Sequence, residues 1–295
     1  MRLISYRTAG RDESLGVATL ERWLPAEALL PGGPRTMDEL LAGGPQMLAA
    51  LSAAADSPRI DGSGSLLGET ALLAPVPRPG KVVAIGRNYR EHIDEEGSDR
   101  PSAPLIFAKW PSSIVGHGAE IRWDPELASQ VDYEAELAVV IGRQARRVPE
   151  SEALDHVLGY TCLNDVSARD IQFGDGQWVR GKSLDTFCPM GPALITADEI
   201  PNPQALAISC RVGGTIRQEA STAQMYFGVA AIVSYCSYSF SLEPGDVIAT
   251  GTPGGVGIFR DPPILLGDGD EVVVEIEGIG RLVNVCRFER VGIPA

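Results

Sequence analysis

Glu134 and Glu136 begin the run Glu-Ala-Glu-Leu-Ala-Val-Val-Ile-Gly, which has the composition of a β-strand. Residues two apart on a strand share a face, so both carboxylates point the same way. Tyr133, Leu137, Val139 and Ile141 take the other face, and Ala138 and Val140 continue the acidic one. Beyond Glu136 the strand is apolar on both faces, as expected of a buried strand. Two carboxylates at the end of such a strand repel unless a cation lies between them. Hard carboxylate oxygens suit Mg²⁺, Mn²⁺ or Ca²⁺. A third acid, Asp165, stands just past a second strand-like run, Val157 to Leu163. The alternative is a solvated edge bearing the two glutamates, with Asp165 capping the next helix.

A base candidate lies upstream, in Gly-Arg-Asn-Tyr-Arg-Glu-His-Ile-Asp-Glu-Glu-Gly. Asn88 and Glu91 fit a capping box and Gly97 a helix end, which predicts a helix of barely two turns. His92 and Glu95 are i and i+3 neighbours on it, and a carboxylate beside an imidazole orients it and raises its basicity. An exposed acidic turn with a bystander histidine reads equally well. Arg169 and Gln172 are spaced alike just after Asp165. The arginine fork suits a substrate carboxylate, or a salt bridge to Asp170 or Asp132. Lys182 is one of three lysines among 25 basic residues. A compact ammonium near three acids is either a site group or their neutraliser. The loop Gly-Thr-Pro-Gly-Gly-Val-Gly lacks the Gly-Lys-Ser/Thr of a Walker A sequence; its glycines can bring N–H groups close to a carboxylate, or serve plain turn chemistry.

These groups need a scaffold, and 295 residues with 44% hydrophobic content are enough for a good core. The 39 acidic residues outnumber 25 basic ones, a net charge of −14 that argues against nucleic acid and anionic membrane surfaces. Five scattered cysteines without a Cys-x-x-Cys, and a start without an apolar signal core, predict a reduced, cytoplasmic protein. Arg2 to Tyr6 and Ser14 to Leu20 predict a hairpin, and Trp23 to Leu30 a connection. Thr36 to Ala55 predicts a helical stretch broken near Gly43, and the prolines at 75, 77 and 79 predict a linker. The boundary therefore falls between a small accessory domain, residues 1–74, and a domain of residues 75–295. Further strands are expected at Lys81 to Ile85 and Pro104 to Ala108. A hairpin is expected around Gly213-Gly214, a helix over Ser221 to Ser237, and a last hairpin from Gly269 to Glu289.

Glu-x-Glu, Asn-Asp-x-Ser-x-Arg-Asp, Gly-Lys-Ser-x-Asp and Gly-Asp-x-Ile-x-Thr-Gly-Thr-Pro-x-Gly follow one another in order. Together they resemble the fumarylacetoacetate hydrolase family. The resemblance is to its short-chain bacterial type, which includes acylpyruvases and 2-hydroxyhepta-2,4-diene-1,7-dioate isomerase-like members. It implies an α+β chain whose catalytic domain is a β-rich mixed sheet. It implies Mg²⁺ or Mn²⁺, with Ca²⁺ as a further candidate, on Glu134, Glu136 and Asp165. It makes His92 the general base, oriented by Glu95 on a mobile lid, and places Lys182 in the active site. Arg87, Tyr89, Arg169, Gln172 and Thr252 become substrate-binding residues, and the protein a homodimer. The expected activity is hydrolysis of a carbon–carbon bond in an acylpyruvate-like 2-oxo acid. Oxaloacetate decarboxylation or 2-hydroxy-dienoate tautomerisation is the alternative within the family, and a non-catalytic metal-stabilised scaffold the alternative outside it.

Overall fold

In the computed structural model, which describes residues 1–8, 11–55 and 57–290, apolar strands are stacked between two hydrophobic cores. In chain order, the first strands are β1 (Arg2–Thr8), β2 (Arg11–Ala18), β3 (Arg22–Pro25), β4 (Ser65–Leu66), β5 (Val82–Gly86), β6 (Leu105–Lys109), β7 (Ile114–Val115), β8 (Glu120–Trp123) and β9 (Val131–Asp132). Then come β10 (Ala135–Ile141), β11 (Val157–Asn164), β12 (Ser167–Ala168), β13 (Cys188–Thr196), β14 (Ala207–Val212), β15 (Thr215–Ser221), β16 (Val247–Ala249), β17 (Glu271–Ile276) and β18 (Gly280–Phe288). The helices are α1 (Ala26–Leu29), α2 (Met37–Ala42), α3 (Gly44–Ala54), α4 (Ser57–Ser63), α5 (Arg90–Glu96), α6 (Arg169–Asp175), α7 (Val179–Lys182) and α8 (Val229–Ser239).

An eleven-stranded sheet runs β4-β3-β2-β1-β13-β11-β10-β16-β5-β6, with β7 beside β13. A five-stranded sheet runs β15-β14-β17-β18-β8, and β9 pairs with β12. The pairs β5–β16, β7–β13 and β8–β18 are parallel and the other strand pairs antiparallel, so the β-rich mixed architecture is as expected. The centre is β10 beside β11, buried along their whole lengths. Alternation explains their place: Leu137, Val139 and Ile141 enter one core, and Ala138 and Val140 the other. The N-terminal strands β1 to β4 join the same sheet, because β1 pairs with β13 at Arg2↔Ile195 and Leu3↔Leu194. No described helix is long and apolar enough to cross a membrane.

Several local expectations change. The strand expected to carry Tyr133, Glu134 and Glu136 is interrupted at Tyr133 and Glu134, between β9 and β10. The expected connection at 23–30 carries β3 and α1. The helix expected from Ser221 begins only at Val229. Ser221 instead ends β15 and closes a capping box with Gln224 on a single 3₁₀ turn, which turns the chain before Gly228. The broken helix at 36–55 is α2 and α3, with Thr36 accepting a cap bond from the Glu39 N–H.

Candidate active site

The three acids converge. One ligand oxygen from each of Glu134, Glu136 and Asp165 lies within 4.8 Å of the others, and all three residues are buried. Register explains this. Ala135 sits opposite Asn164 on β11, and the Asp165 N–H donates to the Glu134 carbonyl at 2.9 Å. The ends of both strands thus meet at one point.

Two lysines bracket Asp165. Lys182 Nζ donates to Asp165 Oδ2 at 2.9 Å and to Glu134 Oε2 at 2.7 Å. Lys109 Nζ, at the end of β6, donates to Asp165 Oδ1 at 2.6 Å and to the Lys182 carbonyl. Gly181 lets this happen: a Cβ there would lie 2.8 Å from the Gln172 nitrogen, so only glycine lets α7 pack so close to α6. Arg169 is held tightly. It donates from Nε and Nη2 to Asp132 at 3.0 and 2.9 Å, from Nη1 to Gln172 at 3.1 Å, and reaches Glu134 at 2.7 Å. The ion pair to Asp132, one of the alternatives weighed from sequence, is therefore present. So is contact with the acid cluster.

The glycine-rich loop after β16 positions the protein's own carboxylates. Gly251 N–H donates to Glu136 at 2.7 Å, Gly255 N–H to Glu95 at 2.7 Å, and Gly257 N–H to Asp132 at 2.8 Å. Gly251 has φ +96 and lies where a Cβ would be 2.7 Å from the Asn88 Cβ, so a side chain is excluded twice over. Thr252 donates to the Ala135 carbonyl at 3.0 Å and accepts from Gln218 at 2.8 Å.

His92 and Glu95 do form a pair, with Nδ1 and Oε1 2.8 Å apart. With Glu95 as a carboxylate, Nδ1 carries the hydrogen and Nε2 is the free acceptor. The capping box does not form. Tyr89 is the helix N-cap, and Asn88 instead donates to the Phe227 and Thr250 carbonyls at 3.0 and 2.7 Å and accepts from Phe227 N–H at 2.8 Å. Tertiary partners outcompete the cap, pinning the base of α5 to the loop and to the segment just before α8.

A cavity of about 30 Å³ joins these groups. Glu134, Glu136, Arg169, Gln172, Lys182 and Thr252 line its buried end with His92, and Arg87, Glu96, Phe107, Phe173, Trp178 and Phe259 its outer part. Tyr89 is outside this lining, but it packs beside Glu136, whose charge adds to burial in pushing the phenol upward. Its hydroxyl is buried with no partner among the described residues.

Burial alone would raise the Glu134 carboxyl, but Lys182 and Arg169 outweigh it and hold it at about 2. Burial, with Asp165 and Glu134 as like charges, pushes Glu136 well above the carboxylate range. Folding thus favours protonated Glu136, a contribution complete below its unfolded value near 4.5 and lost as pH rises through the folded one. Glu134 works the opposite way: its contribution is present above about 4.5 and lost as pH falls towards 2. An all-carboxylate donor set, a Glu136 charged only at a cost, and an orphan hydroxyl beside it fit a hydrated divalent cation. Binding such a cation should drive a proton off Glu136. Calorimetry in buffers of different ionisation enthalpy is expected to show about one proton released at mildly acidic pH and fewer as pH rises.

Residues 81–287 match the family model for the fumarylacetoacetate (FAA) hydrolase C-terminal region. The mitochondrial oxaloacetate tautomerase FAHD2A of Bos taurus is 44% identical over 291 residues, covering 96% of this chain and 91% of the relative. Oxaloacetate tautomerase YisK of Bacillus subtilis is 46% identical over 221 residues, 74% of this chain and 73% of the relative. The solved fumarylacetoacetate hydrolase from psychrophilic Exiguobacterium antarcticum superposes with a TM-score of 0.85 at 37% identity, over 98% of this chain and 100% of that one. With the acid triad, the dyad and the loop all carried on this fold, the chain belongs to the fumarylacetoacetate hydrolase family.

Proposed function

We propose that the protein is a divalent-metal-dependent enzyme that tautomerises oxaloacetate between its keto and enol forms, with decarboxylation of the same acid as the neighbouring activity. The observation that carries this reading is His92, paired with Glu95, lining one cavity with Glu134 and Glu136, beside Asp165. Relatives named oxaloacetate tautomerases align over up to 96% of the chain, which favours this chemistry over the expected hydrolysis. Tautomerisation asks less of the site: one proton moves between C3 and the 2-oxygen, no water is activated and no carbon–carbon bond breaks.

Glu134, Glu136 and Asp165 would hold Mg²⁺ or Mn²⁺, which when bound supplies Lewis-acid stabilisation of negative charge on the 2-oxo oxygen. His92 Nε2 takes the C3 proton of the keto form, while Glu95 holds the ring and stabilises its charged state. The proton then passes to the 2-oxygen, and the reverse reaction uses the same groups. Lys182 and Arg169 face the developing negative charge. Arg87, Gln172 and Thr252, which line the cavity, fix the substrate around these groups. Acylpyruvate hydrolysis is the second reading, because the same dyad can deprotonate a water. A scaffold would need no such base.

Enol absorbance should decay faster with enzyme and Mg²⁺ than with either alone, with pyruvate release followed in parallel. If only acylpyruvates were consumed, the hydrolase reading would replace this one. The proposal includes a reducing compartment, suggested by five free buried cysteines, and a homodimer, which sedimentation at twice the monomer mass would support.

A further inference from the structure

Residues 251–259, the strap that follows β16, touch groups that the chemistry must keep in register. Gly251 N–H donates to Glu136, Gly255 N–H donates to Glu95, and the Phe259 ring lies 6.2 Å from that of His92. The far end of the strap is fixed by Asp132, a fully buried residue that takes no part in the proton transfer. N–H groups from three segments converge on its carboxylate. Oδ1 accepts from Tyr133 at 2.9 Å and from Gly257 at 2.8 Å. Oδ2 accepts from Ile258 at 3.1 Å and from Arg169 Nε and Nη2 at 3.0 and 2.9 Å. Asp132 is itself held in place, because β9 pairs it with Ser167 of β12 and the Arg169 N–H donates to the Gln130 carbonyl at 2.7 Å. The carboxylate is therefore the fixed point, and the strap is what it positions.

From this arrangement we infer that Asp132 is a positioning residue for His92, acting through the strap. Asp132 sets the strap at Gly257 and Ile258. The strap presents the Gly255 N–H to Glu95, and Glu95 aims the imidazole. The inference rests on His92 as the base. Gly255 lies two residues before Gly257, so a strap released at Asp132 moves the Gly255 N–H as well. Glu95 then loses its bond to the loop, and the His92 ring meets the cavity in more than one orientation. A displacement of about 1 Å at a reacting group costs on the order of a hundredfold in rate. Because Asp132 also holds Arg169, one buried carboxylate ties the base to the arginine that contacts the acid cluster.

Two variants release the strap in different ways. Asp132→Asn disturbs both the strap and Arg169, whereas Ile258→Pro removes the Ile258 N–H and leaves Asp132 and Arg169 as they are. Ile258 is the second residue of a β-turn closed by the Arg260 N–H on the Gly257 carbonyl at 3.3 Å, a position that favours proline. Both variants should lower kcat by about tenfold to a hundredfold. In a His92→Ala background neither should lower it by more than about twofold, because the group they position is gone. A purely structural role predicts the same fold loss in both backgrounds. Nitrogen-15 NMR of the histidines, with Mg²⁺ and oxalate present, reads the ring without turnover. His92 carries its hydrogen on Nδ1 and His117 on Nε2, since His117 Nδ1 accepts from the Val283 N–H at 3.2 Å. In both variants the His92 pattern should move towards a mixture of tautomers while that of His117 stays. If Asp132→Asn does not fold, Ile258→Pro decides. An unchanged His92 pattern, or equal losses with and without His92, overturns the inference alone. A fully active His92→Ala overturns the choice of base and this inference with it.

Discussion

Glu134→Gln and Glu136→Gln are both expected to abolish turnover and to weaken Mg²⁺ or Mn²⁺ binding by about 100-fold or more. They should nevertheless shift metal-free stability in opposite directions. Glu134 is the shared counter-ion of Lys182 and Arg169, at 2.7 Å from each. Neutralising it leaves two buried cations short of an acid, a change that costs about 3 to 5 kcal/mol where no acceptor remains and less here, since glutamine retains one. That is within the usual stability of a folded domain, about 5 to 15 kcal/mol, so the variant should still fold. Among the described residues no cation is bonded to Glu136; Asp165 and Glu134 act on it as like charges that outweigh the more weakly acting Lys182, and its bond is from Gly251 N–H. Glutamine there removes a repulsion and can still accept that bond. The metal-free Glu136→Gln protein should therefore melt higher than wild type, by a margin that grows with pH, because only the wild type loses stability as the carboxyl ionises. Mg²⁺ at 100 times its dissociation constant should stabilise the wild type by about 2.7 kcal/mol and leave both variants nearly unmoved. Thermal melts with and without metal read all of this. An undiminished Mg²⁺ shift in either variant would remove that residue from the metal site.

How far the sequence reveals this site follows from which interactions are local. The Glu134–Glu136 spacing and the apolar run behind it were enough to place two carboxylates together, because strand alternation is a local rule. Asp165 was legible as the residue after a strand, and the register of β10 against β11 brought it to the others. Lys109 was missed. It ends Leu-Ile-Phe-Ala-Lys and reads as a strand's solvated tip, yet it is fully buried beneath Asp165. The one available signal was the scarcity of lysine that drew attention to Lys182, and it applied equally to Lys109. Asn88 was misread because its local pattern is a good capping box. Only the partners at Phe227 and Thr250, more than a hundred residues away, outcompete that cap. The glycine loop reads in sequence either as plain turn chemistry or as N–H groups brought close to a carboxylate. That its N–H groups hold Glu136, Glu95 and Asp132 depends on contacts spanning 115 to 160 residues, which spacing cannot show. Helix α8 began eight residues later than its apolar pattern suggested, because the Ser221–Gln224 capping box closes on a single turn and Met225 bridges to Tyr89.

His92→Ala is expected to lower turnover by about 10² to 10⁴, the usual worth of a positioned general base, while binding of oxalate with Mg²⁺ stays close to wild type. The split follows from geometry: His92 lines the cavity and, among the described residues, bonds Glu95 alone, so its removal leaves the acid cluster and its lysines in place. Glu95→Gln should lose less activity, since the imidazole stays and loses only the carboxylate that orients it through Nδ1. The same residues make the segment responsive to ligand. Helix α5 is seven residues long, too short to persist alone, and Tyr89 and Ile93 are its large buried anchors. Burying two such side chains contributes a few kcal/mol at about 25 cal/mol per Å², against about 1 to 2 kcal/mol per residue for ordering the backbone. Closure therefore depends on the Asn88, Glu95 and Glu96 bonds that tie the segment to its surroundings. Amide exchange over residues 88–97 should slow when oxalate is added with Mg²⁺ and not with Mg²⁺ alone. Full protection before any ligand is added would exclude a moving lid, and a fully active His92→Ala would take the histidine out of the reaction.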